Sequence, residues 1–287
     1  MFFIIGALIV IASVLGGYVA ADGHLEVLWQ PFEFLIIFGS GIGAYIIANP
    51  KSVLSGTLKG FGTLLKGPKF KKAAYVELLG ALYTVFRLAK TKGDLALEAH
   101  VERPAESQLF QQFPTLAGNH HALEFLCDYL RLLTLGTSNP HEVESIIDTE
   151  LELHHNEKHA VSGAMQTMAD SFPALGIVAA VLGVIHTMGA ITEPPEVLGK
   201  LIGGALVGTF SGIFVAYGFA APMAKSMEQS FNSDHAYLEC IKAGLLAHMQ
   251  GYAPQVAVEF ARKTLPGPMR PSFAEVEEMI QGMAAPS

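Results

Sequence analysis

The two longest apolar stretches of this chain, residues 171–192 and 201–223, contain no Asp, Glu, Lys or Arg. Uncharged helices of about 20 residues are what a hydrocarbon core of about 30 Å demands, so both read as membrane spans. Charge is scarce overall, at 15% of residues against 51% hydrophobic, yet enough remains for roughly half the chain to sit in water. Basic residues are outnumbered, 18 against 26 acids for a net charge of −8, which argues against a nucleic-acid-binding face. Only Cys127 and Cys240 are present, and they form no Cys-x-x-Cys, so neither a disulfide scaffold nor a metal knuckle is indicated. There is also no Gly-x-Ser-x-Gly, phosphate-binding loop or nucleophile–base signature. An enzyme is not expected, and neither is a cofactor.

What is present is an all-α integral membrane protein with four predicted transmembrane helices in a two-plus-two arrangement. The first hairpin occupies residues 1–50, with spans at 2–20 and 34–48 joined by a polar turn holding Asp22, Glu26, Trp29 and Pro31. A cleaved signal peptide would fit Val19-Ala20-Ala21, but no basic n-region precedes the apolar run, so a retained helix is expected. The second hairpin occupies 171–224, with spans at 171–192 and 201–223. Lys51, Lys59, Lys66, Lys69, Lys71 and Lys72 crowd the segment after the second span, whereas the turns at 21–33 and 193–200 carry acids and only Lys200. The positive-inside rule therefore puts residues 51–170 and 225–287 in the cytoplasm, with both termini, and puts both cysteines there as reduced thiols.

The domain at 51–170 and the tail at 225–287 both read as helical. Leu54, Leu58, Phe61 and Leu65 share a helical face with Lys59 and Lys66 on another, the pattern of a helix lying on the inner membrane surface or of a soluble amphipathic helix. Residues 73–90 stop at Gly93, and residues 122–135 follow a candidate cap at Asn119. Asn139-Pro140 opens a helix that meets no proline until Pro173, about 45 Å at 1.5 Å per residue, and runs into the third span. Ser272 and Glu275 have the spacing of a capping box.

Within the spans, Gly204, Gly208 and Gly212, with Gly199, Gly203, Gly39 and Gly43, repeat the small-xxx-small spacing that lets helix backbones approach; it serves packing within the chain and, over more than one face, contacts between subunits of a homo-oligomer. Pro173 and Pro222 read as helix breaks flanking a polar pathway. No span contains a carboxylate, the usual proton carrier of pumps. His186 is the one titratable side chain placed near mid-membrane, in the role of a neutral hydrogen-bonding group, and Thr209, Thr187 and Ser211 supply hydroxyls. His154, His155 and His159 cluster among acids but lack the His-Glu-x-x-His pattern, so no metal site is expected.

The run Ala169-Asp170-Ser171-Phe172-Pro173-Ala174-Leu175-Gly176, continuing to Val184, closely resembles the signature of the MotA family of flagellar stator subunits, as do Leu206-Val207-Gly208-Thr209-Phe210 and Ala220-Ala221-Pro222. The resemblance covers nearly the whole chain and includes Glu98, Glu102 and Pro104. It implies a bacterial inner-membrane protein whose copies surround a MotB-like dimer that supplies a transmembrane Asp, and whose cytoplasmic domain engages the rotor protein FliG. By that resemblance Pro173, Pro222 and Thr209 belong to the ion-coupling region and Glu98 to a rotor-facing pair. The basic partner expected near position 90 is Lys90 where an arginine is typical, with Arg87 one turn away. Sodium-type relatives resembling PomA place a threonine where this chain has Ala180, so the expected ion is the proton. The ExbB and TolQ group, with three spans, and a passive membrane scaffold are the alternatives.

Overall fold

The computed structural model describes residues 2–67, 69–136 and 139–283, without the side chains of Phe2, Thr63, Leu65 and Lys66. These residues form helices and turns, and no strand occurs among them. The main helices are α1 (Phe2–Ala20), α2 (Pro31–Ala48), α3 (Lys51–Lys66), α4 (Lys72–Lys92), α5 (Glu98–Glu102), α6 (His120–Thr134), α7 (Pro140–Gly189), α8 (Pro195–Val215), α9 (Ala221–Met249), α10 (Pro254–Thr264) and α11 (Phe273–Gly282). A π-helical segment, Ala216–Ala220, joins α8 to α9 without an intervening loop. Among the described residues, four stretches are long and apolar enough to cross a membrane: Phe3–Ala20, Leu25–Ala48, Pro140–Gly189 and Pro195–Met249.

Local chemistry explains the boundaries. Pro31 and Pro195 occupy the first turn of α2 and α8, where a missing N–H costs nothing, so both helices begin before the expected residues 34 and 201. Gly93 ends α4 at φ 85°, a left-handed conformation that glycine adopts without penalty. Asn139 caps α7, its Oδ1 accepting from His141 N at 3.1 Å and its Nδ2 donating to Glu142 at 2.8 Å. Ser272 and Glu275 form the reciprocal capping box of α11. Asn119 does not cap α6, because its Oδ1 instead accepts from Lys69 Nζ at 2.9 Å. α3 forms as a helix, but the side chains of Leu65 and Lys66, which carry part of its amphipathic reading, lie outside the described residues, as do residues 284–287 of the tail.

Two further expectations are corrected. Pro173 does not break its helix: α7 runs unbroken for 50 residues across it. His186 is not near mid-span, since it falls in the last turn of α7 with an exposed side chain.

The chain divides into two compact units, Met1–Gly67 with Asn156–Phe231, and Pro68–His155 with Asn232–Ser287. α3 and residues 156–170 therefore group with the apolar spans. The core of the first unit gathers Ile37, Val161, Met165, Phe172, Ala179, Ala216 and Met227. The second unit is built around α4, buried on nearly every side by Leu78, Leu82, Val85 and Phe86, against Tyr237 and Ile241 of α9, Val258 of α10 and Leu126 of α6. Tyr237 stacks on Phe70 with ring centroids 3.9 Å apart. Both cysteines are free and buried in this core, and burial pushes the Cys127 thiol up to about 12.

Candidate functional site

In the first unit, α7 and α8 meet backbone to backbone, and glycine makes the approach possible. A Cβ on Gly212 would lie 2.5 Å from the Phe172 carbonyl oxygen and 2.9 Å from Gly176 Cα. One on Gly208 would lie 3.1 Å from the Ala180 nitrogen, and one on Gly176 would lie 2.8 Å from the Gly208 oxygen and 3.3 Å from Thr209 Cα. Farther along, Gly183 faces Ala205 in the same way. Gly208 and Gly212 are therefore occupied within the chain, and Gly204 packs against the Gln30 side chain. That accounts for this triplet without a second subunit, whereas Gly39, Gly43 and Gly199 have open space or a single distant contact beside them.

The same contact brings three of the expected residues to one helix pair. Ala180 and Thr209 lie on facing backbones beside Gly208 and Gly176, and Pro173 follows the carbonyl that Gly212 abuts. The ring of Pro173 removes the donor that would bond the Ala169 carbonyl, and Ser171 Oγ meanwhile donates to Met168 O at 2.7 Å. Thr187 spends its hydroxyl on its own helix, at Gly183 O, 2.9 Å away. The half-buried Thr209 hydroxyl has no hydrogen bond among the described residues and is available to water or an ion. Pro222 stands apart, exposed, just beyond the π-helical segment.

In the second unit the expected charged residues cluster where α4 ends and α5 begins. Lys90 and Glu98 are both exposed, and neither joins an ion pair among the described residues; Lys90 Nζ reaches only the Gly251 carbonyl, at 3.4 Å. Arg87 lies over the Tyr83 ring, 5.3 Å from its centroid. Two residues absent from the sequence reading hold this surface in place. Arg131 on α6 bonds Glu102 at 2.8 Å, Asp128 at 2.7 Å and the Val101 carbonyl at 3.1 Å, fastening α5 to α6. His248 on α9 stacks on Phe86 with centroids 4.8 Å apart and sits 3.8 Å from Asp94. Burial pushes the His248 imidazole below its ordinary value, with Lys90 acting in the same direction and Asp94 against it. Only the 98–102 Glu pair hinted at Arg131; nothing in the sequence singled out His248.

The histidines of α7 do not converge. His154 lies against His121 and His155 against His235, each pair with centroids 4.6 Å apart, and no group of three metal-binding side chains occurs among the described residues.

Residues 4–93 match the family described as Motility protein A N-terminal, and residues 118–239 match the MotA/TolQ/ExbB proton channel family. Across 287 residues the chain is 41% identical to Motility protein A of Salmonella typhimurium, covering 100% of this chain and 97% of the relative. The chain belongs to the MotA/TolQ/ExbB proton channel family. A second relative, Chemotaxis protein LafT of Vibrio parahaemolyticus, is 35% identical and covers 96% of this chain and 97% of its own length. Among solved structures, the flagellar MotAB stator complex from Bacillus subtilis superposes with a TM-score of 0.73 at 25% identity, covering 89% of this chain and 92% of that one. The fold is shared also with C. jejuni MotAB, TM-score 0.77 at 19% identity, covering 92% and 95%. This is a membrane protein of the motility branch of that family.

Proposed function

We propose that the chain is the membrane subunit of a flagellar stator which, with a MotB-type partner, forms a proton channel and converts proton flow into torque on the rotor. The observation that carries this reading is the α7–α8 contact: glycine backbones in register beside Pro173, Ala180 and the uncommitted Thr209 hydroxyl make a close-packed helix pair whose apolar stretches, residues 171–192 and 201–223, contain no acid. The missing carboxylate falls to the partner, whose transmembrane Asp would carry the proton. Several copies surround that partner, both termini face the cytoplasm, and the complex sits in the bacterial inner membrane. Ala180 supplies a methyl group where a sodium pathway needs an oxygen, which favours the proton. Lys90 and Glu98, both exposed, with the half-buried Arg87 over the Tyr83 ring beside them, are the surface offered to FliG.

The test is reconstitution. Liposomes holding this chain alone should show no proton flux above lipid background, and co-reconstitution with the MotB-type partner should open one. In cells driven only by this pair, swimming speed should follow proton-motive force and ignore external sodium at constant ionic strength. A substantial leak from the chain alone would remove the two-subunit reading, and strict sodium dependence would remove the ion assignment.

A further inference from the structure

One cleft of the first unit, about 570 Å³ in volume, opens between α2, α3, α7 and the π-helical segment. Ile42 and Ile46 of α2, Leu54 and Leu58 of α3, Phe172 of α7 and Phe219 shape it. Tyr45 and Thr57 are its polar members, and both hydroxyls are already engaged: they bond each other at 2.5 Å, and Thr57 Oγ1 also donates to Val53 O at 3.0 Å. The cleft therefore offers nothing to a polar ligand. Its mouth is open and apolar, with Ile42, Ile46 and Leu58 at 53%, 55% and 73% exposure.

The flank has one sign of charge. α3 contains no acid, and its Lys51 and Lys59 are exposed. Lys51 precedes Leu54 and Leu58 by about one and two turns, so ammonium and cleft lie along one side of the same helix. Charge then separates the possible occupants. The apolar runs 34–48, 171–192 and 201–223 of a neighbouring copy carry no carboxylate, whereas a phospholipid brings an apolar chain and an anionic phosphate in one molecule.

We propose that this cleft is a binding site for an anionic phospholipid, one acyl chain lying between α2 and α3 and the phosphate held by Lys51, with Lys59 adding positive potential from the neighbouring face of α3. The inference rests on α2 spanning the membrane and α3 lying along its surface, not on the stator activity. Because Phe172 precedes Pro173 and Phe219 belongs to the segment before Pro222, the chain would pack beside the region assigned to ion coupling.

The experiment uses the complete complex with its partner in vesicles containing phosphatidylglycerol with a diazirine at the acyl terminus, or phosphatidylcholine with the same chain. Adducts are mapped by peptide mass spectrometry after illumination. Expected is labelling concentrated in residues 42–58 and 215–223, several-fold greater with phosphatidylglycerol. The Lys51→Glu, Lys59→Glu double variant should erase the headgroup preference, and Leu58→Trp, at an exposed position that leaves the core intact, should reduce labelling by both lipids. Labelling no greater than on the exposed face of α1, or equal for the two headgroups in the unaltered complex, would overturn the proposal. So would disulfide formation between copies carrying Leu58→Cys and Ile46→Cys, which would assign the cleft to a neighbouring copy. Torque and proton flux of the unaltered complex are read separately, so either inference can fail alone.

Discussion

Gly212 carries no side chain because the Phe172 carbonyl of the facing helix leaves no room for one. Gly212→Ala would place a methyl group 2.5 Å from that oxygen and 2.9 Å from Gly176 Cα, both backbone atoms that cannot swing aside. Overpacking of this kind costs about 1–3 kcal/mol. Membrane levels of the variant and its co-purification with the partner should fall, while Gly39→Ala, whose new methyl meets only Leu35 Cδ1 at 3.9 Å, should behave like the parent chain. Equal yields of the two variants would mean that the helix pair yields more than its spacing indicates. The glycine spacing itself was legible in the sequence, but its partner was not. A small-xxx-small row says that some backbone comes close; that the neighbour is Gly176 on the preceding span, and not another subunit, is a fact of tertiary packing.

At the scale of elements, the prolines were legible as interruptions but not in form. α7 absorbs Pro173 with one unmade hydrogen bond, since neighbouring turns hold the helix, whereas before Pro222 the irregularity is the π-helical segment. Pro173→Ala and Pro222→Ala should each supply a backbone donor and stiffen the helix locally. Assembly should persist while torque on tethered cells falls; unchanged torque in both variants would reduce the prolines to packing residues. α11 gives a second case. Glu275 caps its helix and meets Lys72 of α4 at 2.7 Å, and Lys72 first, then Ser272, holds the carboxyl down at about 2. A depressed carboxyl contributes stability above its unfolded value and loses it as pH falls towards the folded one. Glu275→Gln should therefore speed amide exchange across 273–282 near neutrality, and the gap from the parent should close as pH drops from about 4.5 towards 2. A gap that persists at the acid end would show that the charge is not responsible. The capping box could be read from Ser272-x-x-Glu275, but the lysine sits roughly 200 positions away and no local pattern announces it.

On the scale of the whole molecule, the rotor-facing reading makes a charge-pair prediction. Glu98 and Lys90 have no ion-pair partner among the described residues, so neutral substitutions should be mild, at about 0–1 kcal/mol each, and reversals worse because they add repulsion. Glu98→Lys should slow swarming, and an opposite reversal on FliG should restore it. If Glu98→Lys with Lys90→Glu swarms normally, the two residues belong to a solvated face. The helical class and the four apolar stretches were open to inspection because hydrophobic runs of that length have one common cause. The grouping of residues was not, because α4 draws its core partners from the far end of the chain.

That grouping has a consequence for synthesis. Each compact unit is assembled from two separated pieces of chain, so neither can be released as an uninterrupted fragment. α4 leaves the ribosome long before Tyr237, Ile241 and Val258, the side chains that complete its surroundings. At about 5–20 residues per second, residues 68–155 wait several seconds or more with that apolar surface unfilled while residues 156–231 are made. Truncation before residue 232 should therefore leave the first unit's two pieces intact while the second unit lacks the side chains that complete its core.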